Sequence, residues 1–453
     1  MIKIVERNPV TTWISDRSMI EDFLTYEYEW WVDGLYHKEK KTATYSLVNK
    51  NGTFLSGFQK RVFDYLSRRR VEFEFESPDY GIKASEPKLK GIEFREDQQH
   101  ALAEMVQVGK GVWKAPTGAG KTLLICGLVS AFHSTALIVV HTASLFNQTV
   151  QELERFFGKG KIGKLGAGLW EKKNISVGMI QTLNRHYKGK GNDGGWGMMI
   201  VDEVHHVNAI GGSYGKVLKK VLAPVRFGFT ATLPKTEKGR MAMEGLVGSV
   251  IGDTTYQELK ENEVLADPVV RICKVPETDR YKDLKGGYIK VYDRGIVNNR
   301  GRNQLIVEKA CELIDAGLTV LIMVEKIEHG HTLLDMAEFM MPDVFCFLHG
   351  TTEDEVKEEE KELFERRDRK GVIVTRIWSE GVNIRSIGAV LNAVGGESEI
   401  AAIQRFGRGL RKAEGKDRVY LYDFVDLNHK WFIKHSIKRM LTYLEAGWKL
   451  EKG

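Results

Sequence analysis

Lys114-Ala-Pro-Thr-Gly-Ala-Gly-Lys-Thr122 is the stretch from which the rest of the chain can be read. A short β-branched run, Gly111 to Ala115, leads into it, and an apolar segment of helical character, Leu123 to Ser130, leads out. Strand, glycine-bearing loop and helix in that order are the context that a phosphate-binding loop requires. Gly118 and Gly120 let the backbone turn its N–H groups toward a polyphosphate, and the helix N-terminus adds a partial positive charge. Lys121 is placed to reach the β and γ oxygens, while Thr122 offers a hydroxyl to Mg²⁺. Ala115 stands where the general motif has glycine.

Outward from the loop the pattern repeats. Strand candidates are Gly111 to Ala115, Ala136 to Val140, Ile175 to Ile180, Met198 to Asp202 and Arg226 to Thr230. A second series follows at Thr319 to Val324, Val344 to Leu348, Gly371 to Thr375, Ala389 to Ala393 and Val419 to Phe424. Helical stretches separate the members of both series, so the reading is α/β: two parallel-sheet domains in tandem. Val250 to Arg302, with Asp267-Pro268 and the charged, glycine-bearing stretch Tyr281 to Arg302, is read as the connecting region, with the boundary near residue 262. Tyr281 to Arg302 reads as a surface loop, with a DNA-contacting insertion as the alternative. The first 90 residues form a small α+β domain. Within it Asp16 to Trp31 suggests a helix, Thr42 to Leu55 a hairpin at Asn51-Gly52, Phe58 to Arg70 a helix and Val71 to Phe75 a strand. His429 to Leu450 has helical spacing in Ile433, Ile437, Met440, Leu441 and Leu444, which predicts a helix packing on the second domain through those residues. The domains expected are therefore 1–90, 91–262 and 263–453.

The chain has 453 residues, 42% hydrophobic and 28% charged, which excludes disorder, collagen and a small disulfide scaffold. Its 67 Lys and Arg against 61 Asp and Glu leave a net charge of +6, which permits a polyanionic partner without requiring one. Four cysteines, Cys126, Cys273, Cys311 and Cys346, sit in or beside apolar runs without CxxC pairing, so neither a disulfide framework nor a zinc ribbon is expected. No apolar h-region opens the chain and no run approaches a bilayer span, so a soluble cytoplasmic protein without membrane contact is expected. Within residues 1–90 basic and acidic residues nearly balance, and Lys38, Lys40, Lys41 and Arg68, Arg69, Arg70 cluster at element ends.

Met198-Met-Ile-Val-Asp-Glu-Val-His-His206 ends an apolar strand in two adjacent carboxylates. After a phosphate loop, Asp202 is suited to hold Mg²⁺ and Glu203 to orient and polarise an attacking water. With Phe94-Arg-Glu-Asp-Gln98, Val140-His-Thr-Ala-Ser-Leu145, Gln181-Thr-Leu183 and Thr230-Ala-Thr232, the ordered set resembles the superfamily 2 helicases, in the DExH form at Asp202 to His205. Leu321 to Val324, Leu348-His-Gly350, Thr375 through Asn383 and Gln404-Arg-Phe-Gly-Arg-Gly-Leu-Arg411 continue the resemblance.

The resemblance implies two RecA-like domains and a catalytic set of Lys121, Asp202, Glu203, Gln404, Arg408 and Arg411. It implies ATP held by Arg95, Gln98, Thr117, Gly118, Ala119, Gly120, Lys121, Thr122 and Gly381, with Mg²⁺ on Thr122 and Asp202. Asp97 stands where the family has an aromatic before the glutamine. A single strand would lie on Thr142, Gln181, Thr182, His349 and Thr375, held by its phosphates. The N-terminal pattern is similar to phage recombination helicases of the UvsW type. That similarity implies a monomeric ATP-dependent DNA helicase acting on branched and single-stranded DNA in a bacterial or phage-infected cytoplasm. Its substrates would be Holliday junctions, forks and D-loops, with R-loops as a further candidate. Trp30, Trp31 and Phe54 are candidate wedge residues, though core positions suit small-domain aromatics better. Two alternatives stay open: an RNA helicase or RNA-dependent ATPase, and a nucleotide-regulated DNA clamp or annealing protein.

Overall fold

Aliphatic runs too short for helices settle as strands buried on both faces, covered by the helices that connect them. The computed structural model, which describes all residues except 34–37, 117, 262–266, 277–283, 376–383, 385, 397–417 and 446, shows this twice. In the unit Met1–Thr254, an eight-stranded sheet runs in the order Leu169–Glu171, Ile162–Gly166, Ile175–Met179, Ala136–Val140, Met198–Val201, Val225–Thr230, Lys110–Lys114, Val250–Asp253. All neighbours are parallel but the first pair, an edge hairpin that the sequence reading missed. Val112, Leu137, Val139, Met199 and Val201 lie in its core without measurable exposure.

The unit Thr255–Gly453 has a seven-stranded parallel sheet in the order Phe345–Leu348, Gly371–Val374, Val320–Met323, Ala389–Asn392, Arg418–Val425, Asp267–Lys274, Lys449–Lys452. Both sheets are RecA-like, and every strand expected from the two series is present. The connecting region read from Val250 to Arg302 is instead largely structured. Val250–Asp253 closes the first sheet, and Asp267–Lys274 is an inner strand of the second. Pro268 is tolerated there because it faces Val419 on one side only; the second neighbour starts pairing at Val269. Nor is Tyr288 to Arg302 a surface loop: Val291, Tyr292, Ile296 and Val297 bury against Phe432. Arg302 is fully buried, its Nε 2.9 Å from Asp426.

The last long helix, Lys430–Glu445, exists as expected but turns the other face inward. Phe432, His435, Ser436, Arg439 and Tyr443 are buried, whereas Ile433, Ile437, Leu441 and Leu444 are exposed. Arg439 forms hydrogen bonds to both oxygens of Asp423, which also accepts from the Tyr443 hydroxyl at 2.6 Å. A fully paired ionic network thus holds the inner face that aliphatic spacing had seemed to claim.

The N-terminal region is α+β, but its elements differ from expectation. Its sheet runs Thr53–Leu55, Thr11–Ile14, Ile2–Asn8, Phe73–Glu76. Asp16 to Trp31 is not a helix. After the 3-10 turn Arg17–Met19 it becomes the strand Thr25–Asp33, antiparallel to Lys38–Ser46 over nine residue pairs. Gly52 does occupy a turn at φ 77°, yet Lys38–Ser46 and Thr53–Leu55 pair with different strands, so no hairpin forms there. The helix Gln59–Arg68 is present and buries Val62 and Leu66. Phe54 lies in the same core, 2% exposed, which removes it as a wedge; the Trp30 and Trp31 side chains lie outside the described residues.

This region packs on the first RecA-like sheet through matched charge and close backbone approach. Arg61 forms a bidentate pair with Glu244 at 2.9 and 2.7 Å, and Lys110 Nζ meets Glu6 at 2.6 Å. Met241 from the helix Glu237–Leu246 joins the N-terminal apolar core. Among the described residues all four cysteines are free, and no helix is long and apolar enough to cross a membrane.

Candidate active site

Parallel strands deliver their following loops to one edge of a sheet, where helix N-termini also gather. At that edge the loop after Lys110–Lys114 runs into the helix Lys121–Ala131. Ala115 N–H donates to Thr230 O at 2.7 Å, tying the loop's start to the neighbouring strand end. Gly118 and Gly120 adopt φ 97° and 83°, the left-handed region glycine enters without steric cost. Thr117 lies outside the described residues.

Arg95 and Gln98 both grip this loop. Arg95 Nη2 and Gln98 Nε2 each donate to Ala119 O at 3.1 Å, and Gln98 Oε1 accepts from Arg95 N–H at 3.2 Å. Both polar ends of buried Gln98 are therefore engaged within the protein. Asp97, the departure from the family's aromatic, holds Arg95 in a bidentate pair at 2.9 Å and so fixes the guanidinium against the loop. Sequence reasoning gave Asp97 no role. Its signal was an acidic residue two positions after an arginine at a helix start.

Lys121 Nζ lies 2.7 Å from Glu203 Oε1. Glu203 stands at φ 49°, ψ 52°, a left-handed conformation that costs a non-glycine residue on the order of 1 kcal/mol. Burial raises the Glu203 carboxyl, but Lys121 and His205 outweigh it and hold the group well below the ordinary range. His205 Nδ1 is 3.3 Å from Glu203 Oε2 and 2.9 Å from Thr230 Oγ1, and Thr230 in turn donates to Thr232 O at 2.7 Å. The Asp202–His205 and Thr230–Thr232 motifs are thus joined side chain to side chain.

Asp202 is buried at the end of Met198–Val201 and accepts from Glu203 N–H at 2.9 Å. Burial and then the neighbouring Glu203 push its carboxyl up to about 6. A buried carboxylate next to a second carboxylate, beside a phosphate loop with Thr122 in its helix, fits a divalent cation. Asp202 and Thr122 would hold that ion, and it would neutralise phosphate charge when bound.

The strand-binding residues expected in the first unit lie at this same edge of its sheet. Thr142 caps the helix Ala143–Phe157, accepting from Leu145 N–H at 3.2 Å, and Gln181 donates to His141 O at 2.9 Å. Thr182 stands in the first turn of Ile180–Tyr187, beside Gln181. In the second unit, His349 and Thr375 follow adjacent strands, with Thr375 N–H donating to Leu348 O at 3.2 Å. Gly381, Gln404, Arg408 and Arg411 lie outside the described residues.

Residues 91–235 match the type III restriction enzyme res subunit family, and residues 305–413 match the helicase conserved C-terminal domain. The chain is 25% identical to putative helicase 22 of Sulfolobus islandicus filamentous virus (isolate Iceland/Hveragerdi), over 94% of this chain and 83% of that protein. It is 24% identical to the ATP-dependent DNA helicase uvsW of Enterobacteria phage T4, over 79% of this chain and 76% of that protein. Among solved structures, the ATP-dependent Type ISP restriction-modification enzyme LlaBIII bound to DNA is similar in fold. It has a TM-score of 0.58 and 14% identity, covering 86% of this chain and 33% of that one.

Proposed function

Since the chain belongs to the superfamily 2 helicases, carrying both conserved helicase regions in tandem, we propose that it is an ATP-dependent DNA helicase and translocase acting on branched DNA. It unwinds and branch-migrates Holliday junctions, forks and D-loops. The observation that carries this reading is the joined set of Lys121, Asp202, Glu203, His205 and Thr230 at one sheet edge. An incoming polyphosphate competes with Glu203 for Lys121. Glu203, once released, is free to accept a hydrogen bond from water, with His205 still beside it to favour its ionised form. Its link through His205 to Thr230 gives phosphate chemistry a path toward the strand-binding edge.

Residues 1–90 serve as a duplex grip, 91–262 as the first motor domain and 263–453 as the second. Arg408 and Arg411 supply charge to the γ-phosphate and Gln404 positions them, with Mg²⁺ on Thr122 and Asp202. Thr142, Gln181, Thr182, His349 and Thr375 track the phosphates of one strand. The similarity to a phage protein named as an ATP-dependent DNA helicase supports DNA over RNA.

The test is ATPase rate and strand separation on single-stranded DNA, single-stranded RNA, fork, Holliday junction and blunt duplex. Lys121→Ala and Glu203→Gln serve as controls, each expected to lower turnover at least 100-fold while DNA binding persists. Strong ATP-dependent action on forks and junctions is the expected result. Preference for RNA, or binding without separation, would move the function to an RNA helicase or a nucleotide-regulated clamp.

A further inference from the structure

Away from the catalytic edge, the first motor domain carries a cationic hollow. The helix Ile180–Tyr187 begins with Gln181 and Thr182 at the strand-binding edge and runs back toward the starts of the strands, about 12 Å along its axis. Where it ends, Asn184, Lys188, Lys216 and Lys220 line a surface cavity of about 370 Å³, and Lys190 lies beside it. Asp193 pairs with Val221, and Gly197 N–H donates to Thr135 O at 3.1 Å, so this is the edge where strands begin.

Among the described residues none of Lys188, Lys190, Lys216 and Lys220 is paired with a carboxylate. The nearby Asp193 is already held by Tyr187, Trp196 and Lys172. Like charges gathered without acids raise the local potential until an anion joins them. Two of these cations are held in place. Lys220 donates to Tyr187 O and Lys190 O, and Lys190 meets the His186 ring, on which the 41%-exposed Trp170 stacks at 3.6 Å. Burial, then Lys190, push the His186 imidazole down, with Asp193 opposing them. Gly189, Gly191 and Gly194 each have open space where a Cβ would stand, so the loop between helix and strand leaves its backbone open to close approach.

We infer that this hollow binds the phosphodiester backbone of a double-stranded arm of the nucleic-acid substrate. Lysine is depleted from the cores of protein–protein interfaces, whereas unpaired lysines and open glycine amides suit phosphates of any sequence. Lys188, Lys216 and Lys220 lie beyond the end of the helix Ile180–Tyr187 or on the neighbouring segment, away from Thr142, Gln181 and Thr182. The inference rests on the proposed action on branched substrates for its biological sense, but the binding itself can be tested alone.

The experiment uses the full chain with Lys188→Ala, Lys190→Ala and Lys216→Ala combined; Lys220 is kept because it anchors two carbonyls. Affinity is measured by anisotropy across a salt series for a fork with long duplex arms and for a short single-stranded oligonucleotide, in DNA and RNA forms. Each phosphate contact contributes roughly 0.9 to the slope of log K against log salt, so the fork slope should become shallower by about 2 to 3. Fork affinity near 0.1 M salt should fall about tenfold, with single-strand affinity and single-strand-stimulated ATPase held within about twofold. The corresponding Lys→Arg set should restore fork binding. An unchanged fork slope, or equal loss on single strands, overturns the inference. A wild type that binds DNA forks without remodelling them, or that prefers RNA forks, defeats the proposed function instead, while the variant's slope still decides the hollow.

Discussion

Gly120 shows how little freedom the nucleotide loop has. Its φ of 83° disfavours any L side chain, and an added Cβ would stand 2.5 Å from Gln98 Nε2, the amide that holds Ala119 O. Gly120→Ala therefore strains the backbone by about 1–2 kcal/mol and dislodges Gln98 from the loop. ATP affinity should fall at least tenfold by equilibrium binding, with DNA binding retained; unchanged ATP affinity would refute the grip assigned to Gln98. A second residue makes stability depend on pH. His329 lies in Ile327–Met340, its Nε2–H donating to Asn303 Oδ1 at 2.9 Å, and burial followed by Arg302 pushes its imidazole down to about 3. The unfolded chain takes up a proton near 6.5 that the folded one refuses. The stabilisation is therefore complete above about pH 6.5 and is lost as pH falls toward 3, by at most about 1.4 kcal/mol per pH unit. Urea unfolding of the wild type and His329→Gln at pH 7 and pH 5 checks it: the wild type should lose more stability between the two, and parallel losses would count against the assignment.

At the scale of elements, the terminal helix Lys430–Glu445 tests which face matters. Arg439→Ala leaves Asp423 buried without its cation, which costs on the order of 3–5 kcal/mol, whereas Leu441→Ser changes an exposed site and should cost under about 0.5 kcal/mol. Denaturant unfolding that ranked the two the other way would restore the aliphatic face as the packing face. The same helix shows where sequence legibility stops. Strands such as Ala136–Val140 and Gly371–Val374 were readable because burial on both faces demands uninterrupted aliphatic runs. The phosphate loop and Asp202-Glu203 were readable because their chemistry fixes residue types at fixed spacing. Arg439, His435 and Ser436 were not, since a polar residue is buried only by virtue of a distant partner, here Asp423 for Arg439. Thr25–Asp33 was misread for another reason: Phe23, Tyr26 and Trp30 imitate helical spacing. The alternation of Tyr26, Glu27, Tyr28 and Glu29, with Tyr26 against Tyr45 at 5.5 Å, was the stronger signal. The Lys121–Glu203 pairing, between residues 82 positions apart, is a property of the fold, absent from any local pattern.

For the whole molecule, the decisive fact is that residues 1–90 share a core with the first motor domain rather than standing apart from it. Gly57 approaches the helix Glu237–Leu246 so closely that a Cβ would lie 2.0 Å from Glu244 O, and a Cβ on Gly245 would lie 2.7 Å from Phe58. Arg61 locks the same contact through Glu244. Removing residues 1–90 would strip apolar cover from Met241, so a truncation confounds loss of DNA grip with loss of stability. A wedge is the cleaner probe. Gly57→Ala meets backbone, which cannot rotate away, so the contact must open; overpacking of this kind costs about 1–3 kcal/mol. In a calorimetric scan the melting of the 1–254 unit should fall by roughly 2–10 °C while that of the 255–453 unit holds. Branch remodelling should decline more than ATPase stimulated by single strands, because the loop, Glu203 and the strand-binding edge are untouched. An early, separate melting of residues 1–90 with the motor transition unmoved would show instead that the N-terminal region folds alone, and the truncation would then regain its value as the test of duplex grip.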